Sequence, residues 1–255
     1  MKTAIITGAT SGIGKATALK LASENWNLII TGRRIDRLTM LTDEIKSNHH
    51  VDVLALNFDV RNRDEVIEAF DSLPEKWRKI DLLVNNAGLA SGLEPLNEGN
   101  VVDWEKMIDT NVKGILYVTQ AVVNLMIPFQ EGQIINISSI AGKETYPSGN
   151  VYCASKHAVE ALTKGMRIDF LPHNIKVSSI APGMVETEFS IIRFHGDEQR
   201  AKNVYTDITP LYAEDIAEAI WFMVSRPPHV NINDLVIMPT AQGSSRDVVR
   251  KKITT

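Results

Sequence analysis

The sequence predicts a doubly wound α/β fold, in which a central, mostly parallel sheet of seven strands is flanked by helices on both faces. Short runs rich in Val, Ile and Leu alternate with longer segments of helical periodicity along the whole chain. These runs are apolar on both sides, as strands must be when helices cover both faces of a parallel sheet. Repeated strand–helix units of this kind are joined by right-handed crossovers, which builds a doubly wound sheet.

The elements follow one another in a regular order. The strands are predicted at TAIIT, NLIIT, VDVLALNF, KIDLLVNN, GQIINIS, IKVSSIAP and, near residues 234–238, DLVIM. The helices are predicted at GIGKATALKLASE, RIDRLTMLTDEIKS and RDEVIEAFDSL, and at about 101–129, 151–171 and 213–225. Residues 184–207 have apolar side chains scattered among charges without a clear period, so we expect a mobile lid there.

Composition limits the class of protein. Of 255 residues, 44% are hydrophobic and 23% charged, and no linker or repeat interrupts them, so one domain spanning 1–255 is expected. A net charge of −4 argues against a nucleic-acid partner. Because no run of about 18 apolar residues is evident, no membrane span is expected. The single cysteine, Cys153, and a start that leads straight into a strand rather than a secretory signal favour the cytoplasm.

A glycine turn follows the first strand and opens a helix. It reads TGATSGIG from Thr7, which places glycines at positions 8, 12 and 14, and its candidate binding residues are Gly8, Thr10, Ser11, Gly12, Ile13 and Gly14. Backbone N–H groups at a helix N-terminus, with no β-carbon in the way, form a site for a pyrophosphate. Tight turns also need glycines, yet the strand before and the helix after favour dinucleotide binding.

The end of the second strand indicates which nicotinamide dinucleotide is preferred. An NAD site usually has Asp or Glu there to hold the ribose 2′-hydroxyl. Here Arg33 and Arg34 follow the strand, and the first carboxylate is Asp36. Two guanidiniums attract a 2′-phosphate, so NADP is predicted. Asp59-Val60, after the third strand, suits a hydrogen bond to the adenine amine, although Asp59 could equally be a helix N-cap.

Tyr152 and Lys156 lie four residues apart in a helical pattern, so they should project from one helix face. An ammonium about 6 Å from a phenol, at an effective dielectric constant of about 20, would lower the phenol's pKa by about two units. Such a tyrosine could exchange protons near neutral pH. The alternative is a core tyrosine and a surface lysine that happen to share a helix.

Together these motifs resemble the short-chain dehydrogenase/reductase family over essentially the whole chain. In order they are Thr7–Gly14, Asp59, Asn85-Asn86-Ala87-Gly88, Asn111, Ser139, Tyr152-x-x-x-Lys156 and Pro182-Gly183. The strings GNVYCASKHAV, PGMVETEFSIIRFHGDEQRA and HVNINDLVIMP resemble the NADP-dependent 3-hydroxy acid (serine, allo-threonine) dehydrogenase branch. The resemblance implies a Rossmann fold, with a cofactor half at about 1–130 and a catalytic and substrate half at about 131–255.

The resemblance implies a role for each motif residue. Tyr152 would be the general acid in carbonyl reduction and the general base in alcohol oxidation. Ser139, or alternatively Ser138, would hold the substrate oxygen. Lys156 would lower the tyrosine's pKa and hold the nicotinamide ribose. Asn111 would anchor a water that links the lysine to solvent, unless its side chain is simply satisfied by backbone groups.

Two further sets of residues complete the expected site. The cofactor cavity would also be lined by Asn86, Ala87, Gly88, Pro182, Gly183, Val185 and Thr187. Arg193 would reach the carboxylate of a small hydroxy acid, with Tyr146 and Ser91 as polar lining. The alternative for Arg193 is an exposed helix residue paired with Glu188 or Asp197. No His, Cys or Asp cluster has metal-ligand spacing, so a metal is not expected.

The expected activity is hydride transfer between NADP and a small 3-hydroxy acid, such as serine, allo-threonine, 3-hydroxyisobutyrate or 3-hydroxypropionate, or the matching carbonyl compound. A broader carbonyl reductase, a 3-ketoacyl reductase and a non-enzymatic NADP sensor are the alternatives. The resemblance also implies a homotetramer built through the two long helices and the last strand. Leu116, Val123 and Val159 would then be buried between subunits.

Overall fold

A computed structural model describes residues 1–251 of the chain. Its seven strands form one sheet in the order β3-β2-β1-β4-β5-β6-β7, and all of its strand pairs are parallel. The strands are β1 (Thr3–Ile6), β2 (Asn27–Gly32), β3 (Val53–Asn57), β4 (Leu82–Asn85), β5 (Gly132–Ile137), β6 (Ile175–Pro182) and β7 (Asp234–Ile237). The predicted doubly wound sheet is therefore confirmed, with a parallel last strand.

Helices cover both faces of this sheet. They are α1 (Gly12–Ser23), α2 (Ile35–Asn48), α3 (Arg63–Asp71), α4 (Val101–Ile108), α5 (Gly114–Met126), α6 (Asn150–Asp169), α7 (Phe189–Arg193), α8 (Glu198–Asn203) and α9 (Ala213–Val224). Successive side chains of a strand point to opposite faces. Accordingly Ile6 of β1 packs in the layer of α1, α2 and α9, whereas Ile5 packs in the layer of α3, α5 and α6.

The predicted long helix at 101–129 is interrupted. Between α4 and α5 the backbone forms a π-helical turn at Asp109–Lys113. Such turns add a residue to the helix and often occur at functional sites. The turn places Asn111 in the interior, with no exposed surface.

The same stretch, Val101–Phe129, is long and apolar enough to cross a membrane by length and composition, with a mean hydropathy of 1.4. Charged residues at positions 103, 105, 106, 109 and 113 interrupt its first half, so it is not a continuous run of apolar residues. Core helices of α/β proteins meet it as well, and Val118 and Val122 are buried against the sheet in one continuous apolar layer. No membrane association follows from this stretch.

The three apolar residues predicted to lie between subunits differ in the structure. Val123 and Val159 are 5% and 0% exposed within the single chain, where they pack in the layer of α3, α5 and α6. Their predicted burial between subunits is wrong, because the chain's own core covers them. Leu116 is 40% exposed.

The segment predicted to be a lid contains two short helices, α7 and α8. Its backbone is joined to the loop after β4, since Gly92 N–H donates to the carbonyl of Arg193 at 2.9 Å. Tyr205, near the end of the segment, donates to the carbonyl of Val185 at 2.8 Å. The segment therefore closes on itself and on the loop after β4, and its mobility stays a prediction.

Candidate active site

A cavity of about 740 Å³ opens where the strand order reverses between β1 and β4. Open α/β sheets bind ligands at this point, beyond the carboxyl ends of the strands. The structure brings most of the predicted residues to its walls: Gly8, Thr10, Ser11, Gly12, Ile13, Arg33, Arg34, Asp59, Val60, Asn86, Ala87, Gly88, Ser139, Tyr146, Tyr152, Lys156, Pro182, Gly183, Val185, Thr187 and Arg193.

The glycines of the first turn have different roles. Gly8 and Gly12 have φ angles of +66° and +51°, which L side chains rarely adopt. A β-carbon on Gly14 would lie 2.5 Å from both the carbonyl oxygen of Gly8 and Nδ2 of Asn86. Gly14 is outside the cavity lining, so its predicted contact with the cofactor is wrong: it allows α1 to pack closely against the turn.

Asn86 braces the same turn from β4. Its Nδ2 donates to the carbonyls of Thr7 at 2.8 Å and Gly8 at 3.2 Å, and Thr7 Oγ1 accepts from the backbone N–H groups of Asn86 and Ala87. The neighbouring Asn85 bonds Thr119 and Asn136 inside the core. The Asn85–Gly88 segment therefore both lines the cavity and steadies the sheet.

The two arginines after β2 lie at the cavity rim. Arg34 Nη2 donates to Thr10 Oγ1 at 2.9 Å and to Ser11 Oγ at 2.8 Å. Arg34 Nη1 is 3.0 Å from a carboxylate oxygen of Glu188. Arg33 is more exposed and lies 3.7 Å from Asp59. Two guanidiniums thus border the cavity beside the glycine turn, at the place where an NAD site has a carboxylate.

The Asp59 carboxylate pairs with arginine side chains and does not cap α3. Arg61 binds its carboxylate with contacts of 2.6 to 3.1 Å. Burial raises the pKa of Asp59, but the hydrogen bonds and charge of Arg61 outweigh burial and lower it. The N-cap of α3 is Asn62, whose side chain accepts from Asp64 and Glu65. The alternative that Asp59 caps this helix is therefore wrong.

Tyr152 and Lys156 project from α6 into the cavity. The Lys156 Nζ atom lies 6.0 Å from the centroid of the Tyr152 ring. Both side chains are buried, so the alternative of a core tyrosine beside a surface lysine is wrong. Phe189 of α7 packs edge-on against the Tyr152 ring at 5.7 Å, which joins the lid segment to the predicted catalytic group.

Burial dominates the electrostatics of the phenol. Burial raises the pKa of Tyr152 above its ordinary value, and the proximity of Tyr146 acts in the same direction. The Ser139 hydroxyl and the Arg193 guanidinium oppose this rise only in part. The expectation that Lys156 lowers the pKa of Tyr152 towards neutrality is therefore wrong for the chain by itself, because burial has the larger effect. The phenol is held in its protonated form.

Lys156 is itself perturbed by its surroundings. Its Nζ donates to the carbonyl of Ile137 at 2.9 Å. Burial lowers the pKa of Lys156 to about 8, and the charge of Glu160 acts in the opposite direction. The lysine therefore changes its charge within the pH range in which enzymes are commonly assayed.

Asn111 reaches the same region from the π-helical turn. Its Oδ1 accepts from the backbone of Leu89 at 2.8 Å, and its Nδ2 donates to the Leu89 carbonyl and to Ser155 Oγ. A β-carbon on Gly88 would lie 3.2 Å from Asn111 Oδ1 and 3.4 Å from Lys156 Nζ. The side chain is thus satisfied by the protein, yet it lies beside the lysine with one lone pair of Oδ1 still available.

The two candidate serines differ in their surroundings. Both line the cavity, but Ser139 Oγ accepts from the N–H of Ala141 at 3.1 Å and donates to the carbonyl of Pro182 at 3.5 Å, and its hydroxyl acts to lower the pKa of Tyr152. Ser138 is buried, and its hydroxyl has no partner within residues 1–251. The effect of its hydroxyl on Tyr152 favours Ser139 as the group that holds a substrate oxygen.

Arg193 extends from the end of α7 over the two tyrosines. Its guanidinium carbon lies 5.5 Å from the Tyr146 ring and 5.6 Å from the Tyr152 ring. Glu188 pairs instead with Arg34, and Asp197 caps α8, so the predicted alternative pairing of Arg193 is wrong.

The Arg193 guanidinium also carries an unused donor. Its Nε donates to the carbonyl of Gly92 at 3.4 Å. Its Nη2 is buried and, in the part of the chain that the structure describes, has no hydrogen-bond partner. Such a donor is costly unless a ligand pairs with it.

Ser91 does not line the cavity, contrary to the prediction. It is buried, and its hydroxyl donates to Asp103 Oδ1 at 2.6 Å. The other oxygen of Asp103 lies 3.2 Å from Nε2 of His195, which follows α7. Ser91 therefore helps to orient a contact between α4 and the lid segment.

Comparison with known proteins decides the family. A family model described as short chain dehydrogenase matches residues 2–196. The chain belongs to the short-chain dehydrogenase family. The predicted family, fold and oxidoreductase class are thereby confirmed.

Two relatives and one solved structure show how close this short-chain dehydrogenase is to known members. An NADP-dependent 3-hydroxy acid dehydrogenase of Salmonella typhi is 46% identical over 239 residues, covering 93% of this chain and 95% of that one. Sulfoacetaldehyde reductase 2 of Chromohalobacter salexigens is 45% identical over 242 residues, covering 94% and 95%. The closed form of serine dehydrogenase complexed with NADP+ is 42% identical, with a TM-score of 0.92 over 98% of this chain and 100% of the other.

Sequence reasoning missed several residues of this short-chain dehydrogenase site. Glu188 binds Arg34 and also Arg37, at 2.6 Å. Gln242 lines the cavity from the C-terminal end, and its Oε1 accepts from the N–H of Met184 at 2.8 Å. Charge complementarity between an acidic lid residue and the basic end of β2 was a usable signal for Glu188. A single glutamine beyond the last strand gives no comparable signal.

Proposed function

We propose that this short-chain dehydrogenase transfers a hydride between NADP and a small 3-hydroxy acid or the matching carbonyl compound. Its relatives include enzymes named for 3-hydroxy acids, sulfoacetaldehyde and serine. The proposal rests most on one observation, the buried and unpaired Nη2 atom of Arg193 beside Tyr152.

The cofactor is NADP. Gly8 and Gly12 leave the turn after β1 without β-carbons, as a pyrophosphate requires. Arg33 and Arg34 border the cavity where the 2′-phosphate would lie, and Lys156 would hold the nicotinamide ribose. When bound, NADP supplies the hydride acceptor or donor, and the protein's own residues position the substrate and move the proton.

Tyr152 supplies the proton in this proposal. Because its phenol is held protonated, it is ready to donate to the oxygen of a carbonyl substrate. Ser139 holds the same oxygen and stabilises the charge that develops on it. Oxidation needs the phenolate, so the rate of oxidation is expected to rise with pH while the rate of reduction falls.

Arg193 selects the substrate by charge. A substrate with an anionic group one carbon away from the reacting carbon can place that group on Arg193 while its oxygen meets Tyr152. A guanidinium binds a carboxylate or a sulfonate through two parallel hydrogen bonds. The pairing would also satisfy the buried Nη2 donor, so an anionic substrate should bind more tightly than a neutral one.

Sulfoacetaldehyde is a second candidate substrate for the same site. It carries a sulfonate at the position where a 3-oxo acid carries its carboxylate, and a reductase of this compound is 45% identical. Arg193 would serve both anions. The choice between them depends on the room around the anion, since a sulfonate is tetrahedral and bulkier.

The test compares an anionic substrate with a neutral one of similar size and shape. We expect kcat/KM with NADP+ to be about 10- to 100-fold higher for 3-hydroxypropionate than for 3-hydroxypropionamide, from one charge-assisted hydrogen-bond pair. Replacing Arg193 with Met should raise KM for the acid and leave KM for the amide nearly unchanged. Arg200→Met is the control, because Arg200 stacks on Phe194 and lies outside the cavity lining.

The outcomes separate the candidates. Equal KM effects of Arg193→Met on acid and amide would remove Arg193 from substrate binding. Sulfoacetaldehyde reduction with little activity on any hydroxy acid would favour the second candidate. Preference for 3-ketoacyl thioesters would favour the ketoacyl reductase, and NADPH binding without turnover of any substrate would leave an NADP sensor.

A further inference from the structure

A cluster of polar and charged side chains lies one helical turn beyond Lys156. It consists of Glu160 of α6, Lys143, Ser179 of β6 and Asp234 of β7, and we call it the Glu160 cluster. Glu160 is 5% exposed. Its Oε2 lies 2.6 Å from Lys143 Nζ and accepts from Ser179 Oγ at 3.2 Å.

The other carboxylate oxygen of Glu160 is unused. Among the residues that the structure describes, its Oε1 has no hydrogen-bond partner, although it is buried. Lys143 and Ser179 are also bound by Asp234, at 3.5 and 2.7 Å. Asp234 thus shares both partners of Glu160 Oε2, and Glu160 is the member of the cluster that lies on α6. Burying a carboxylate with one oxygen unpaired lowers the stability of the fold, so we infer that Glu160 has a role besides stability.

Lys156 lies one helical turn before Glu160, and both side chains are buried. The two residues are four apart on one helix, which places their side chains on the same face. Gly142 lets this part of α6 pack closely against the turn after β5, since a β-carbon there would lie 2.7 Å from Ser138 Oγ, 2.8 Å from the Lys156 carbonyl and 3.1 Å from Glu160 Cγ. The ammonium itself has only the Ile137 carbonyl as a hydrogen-bond partner within residues 1–251.

We propose that Glu160 is a positioning residue for Lys156. The unpaired Oε1 of Glu160 provides the counter-charge that keeps the buried Lys156 ammonium in its charged form. Glu160 acts through the lysine and need not touch substrate or cofactor. The inference rests on the proposed function, in which the Lys156 ammonium would hold the nicotinamide ribose.

The electrostatics of Lys156 agree with this role. Burial lowers its pKa to about 8, and Glu160 raises it. The charged groups around the pair are Lys143 and Asp234 in the cluster, with Arg167 about two turns beyond Glu160 on α6, where its charge acts on Asp234. The titratable group that faces Lys156 is Tyr152, whose ring lies 6.0 Å from the ammonium. Of these, Glu160 is the group whose charge raises the pKa of Lys156, so its removal should let the lysine lose its proton at lower pH.

The experiment compares Glu160→Gln with Asp234→Asn, which removes the other carboxylate bound to the same Lys143 and Ser179. The dissociation constant of NADPH and kcat/KM for reduction are measured from pH 6.5 to 9.5. We expect the alkaline loss of binding and activity to begin about one pH unit lower in Glu160→Gln, from one charge pair at several ångströms. Asp234→Asn should overlay the wild type, and Glu160→Asp should restore part of the shift.

A purely structural role predicts a different result. Glu160→Gln would then lower thermal stability as Asp234→Asn does and leave the pH profile of the wild type unchanged, which would overturn the proposal. An equal shift in both variants would overturn it too.

Failure of the proposed function can be told apart from failure of this inference. A wild type that does not bind NADPH would refute the function. Urea unfolding between pH 7 and 10 needs no NADP. The rise in stability that accompanies deprotonation of Lys156 should begin at lower pH in Glu160→Gln than in Asp234→Asn, and coincident curves would refute the inference alone.

Discussion

Arg34 binds in two directions. One side of its guanidinium donates to the hydroxyls of Thr10 and Ser11, and the other pairs with Glu188 of the lid segment. The two hydroxyls orient the guanidinium without neutralising it. Arg34 is therefore fixed beside the glycine turn with part of its positive charge available to a phosphate.

Replacing Arg34 with Ala should weaken NADPH binding about 10- to 100-fold and change NADH binding little, because a charge-assisted contact to the 2′-phosphate is lost. The measurement is the dissociation constant of each cofactor by fluorescence. Arg37→Ala is the matched control: Arg37 also binds Glu188 but lies outside the cavity lining. An equal loss of NADH and NADPH affinity in Arg34→Ala would contradict a role in recognising the phosphate.

Lys156 also affects stability. Its pKa falls from an ordinary value of 10.5 to about 8 in the folded chain, which corresponds to about 3 kcal/mol. The folded state therefore binds fewer protons than the unfolded state between these pH values, and stability rises with pH across this window. Below pH 8 the full cost of burying the charge remains.

Lys156→Met should accordingly be more stable than the wild type at pH 7, and the difference should shrink as pH rises towards 10. Urea unfolding at several pH values measures it. The control is Lys164→Met, on the same helix but exposed, for which no pH-dependent difference is expected. A constant difference at all pH values would show that Lys156 is not buried as a charge.

At the scale of elements, the glycine turn and α6 use glycine differently. Gly14 has no room for a β-carbon, because α1 packs closely against the turn there. By contrast, nothing lies within 4 Å of a β-carbon placed on Gly165 of α6. Gly14→Ala should lower the free energy of unfolding by about 1–3 kcal/mol through overpacking. Gly165→Ala should raise it by about 0.5–1 kcal/mol, since alanine is the better helix former. Thermal unfolding checks both signs, and the same sign for both would contradict the described packing.

Helix α7 is held at both ends. Glu188, which precedes it, pairs with Arg34 and Arg37. Beyond its other end, His195 lies 3.2 Å from Asp103 of α4. The helix thus connects the arginines after β2 to the loop and helix after β4, and it carries Phe189 and Arg193 over Tyr152.

At the scale of the whole molecule, the sheet order explains why the site could be found from sequence. Consecutive strand–helix units place the glycine turn and the Asn85–Gly88 turn at one edge, next to each other. The Tyr152–Lys156 pair needs only helical spacing. Local patterns therefore predicted the seven strands, the glycine turn and the Tyr152–Lys156 pair, and the family resemblance supplied most of the remaining cavity lining.

The remaining features depend on contacts between distant residues. Glu188 meets Arg34 across 154 positions, and Ser91 turns to Asp103 instead of the cavity. The pKa of Tyr152 depends on burial, which spacing along a helix does not report. The π-helical turn that sets Asn111 has no sequence signature comparable to a glycine turn.

Assembly and location stay predictions. Leu116, Phe129 and Ile168 are exposed on or just beyond the two long helices expected to join subunits. Analytical ultracentrifugation would show whether a tetramer forms. Cell fractionation would test the predicted cytoplasmic location.

The most direct test of the central claim is Tyr152→Phe. If the phenol donates the proton, this variant should lose at least about 100-fold in kcat for carbonyl reduction while its NADPH dissociation constant stays within about threefold of the wild type. The two quantities are measured on the same preparation. Turnover at the wild-type rate would contradict the account, because another group would then be moving the proton.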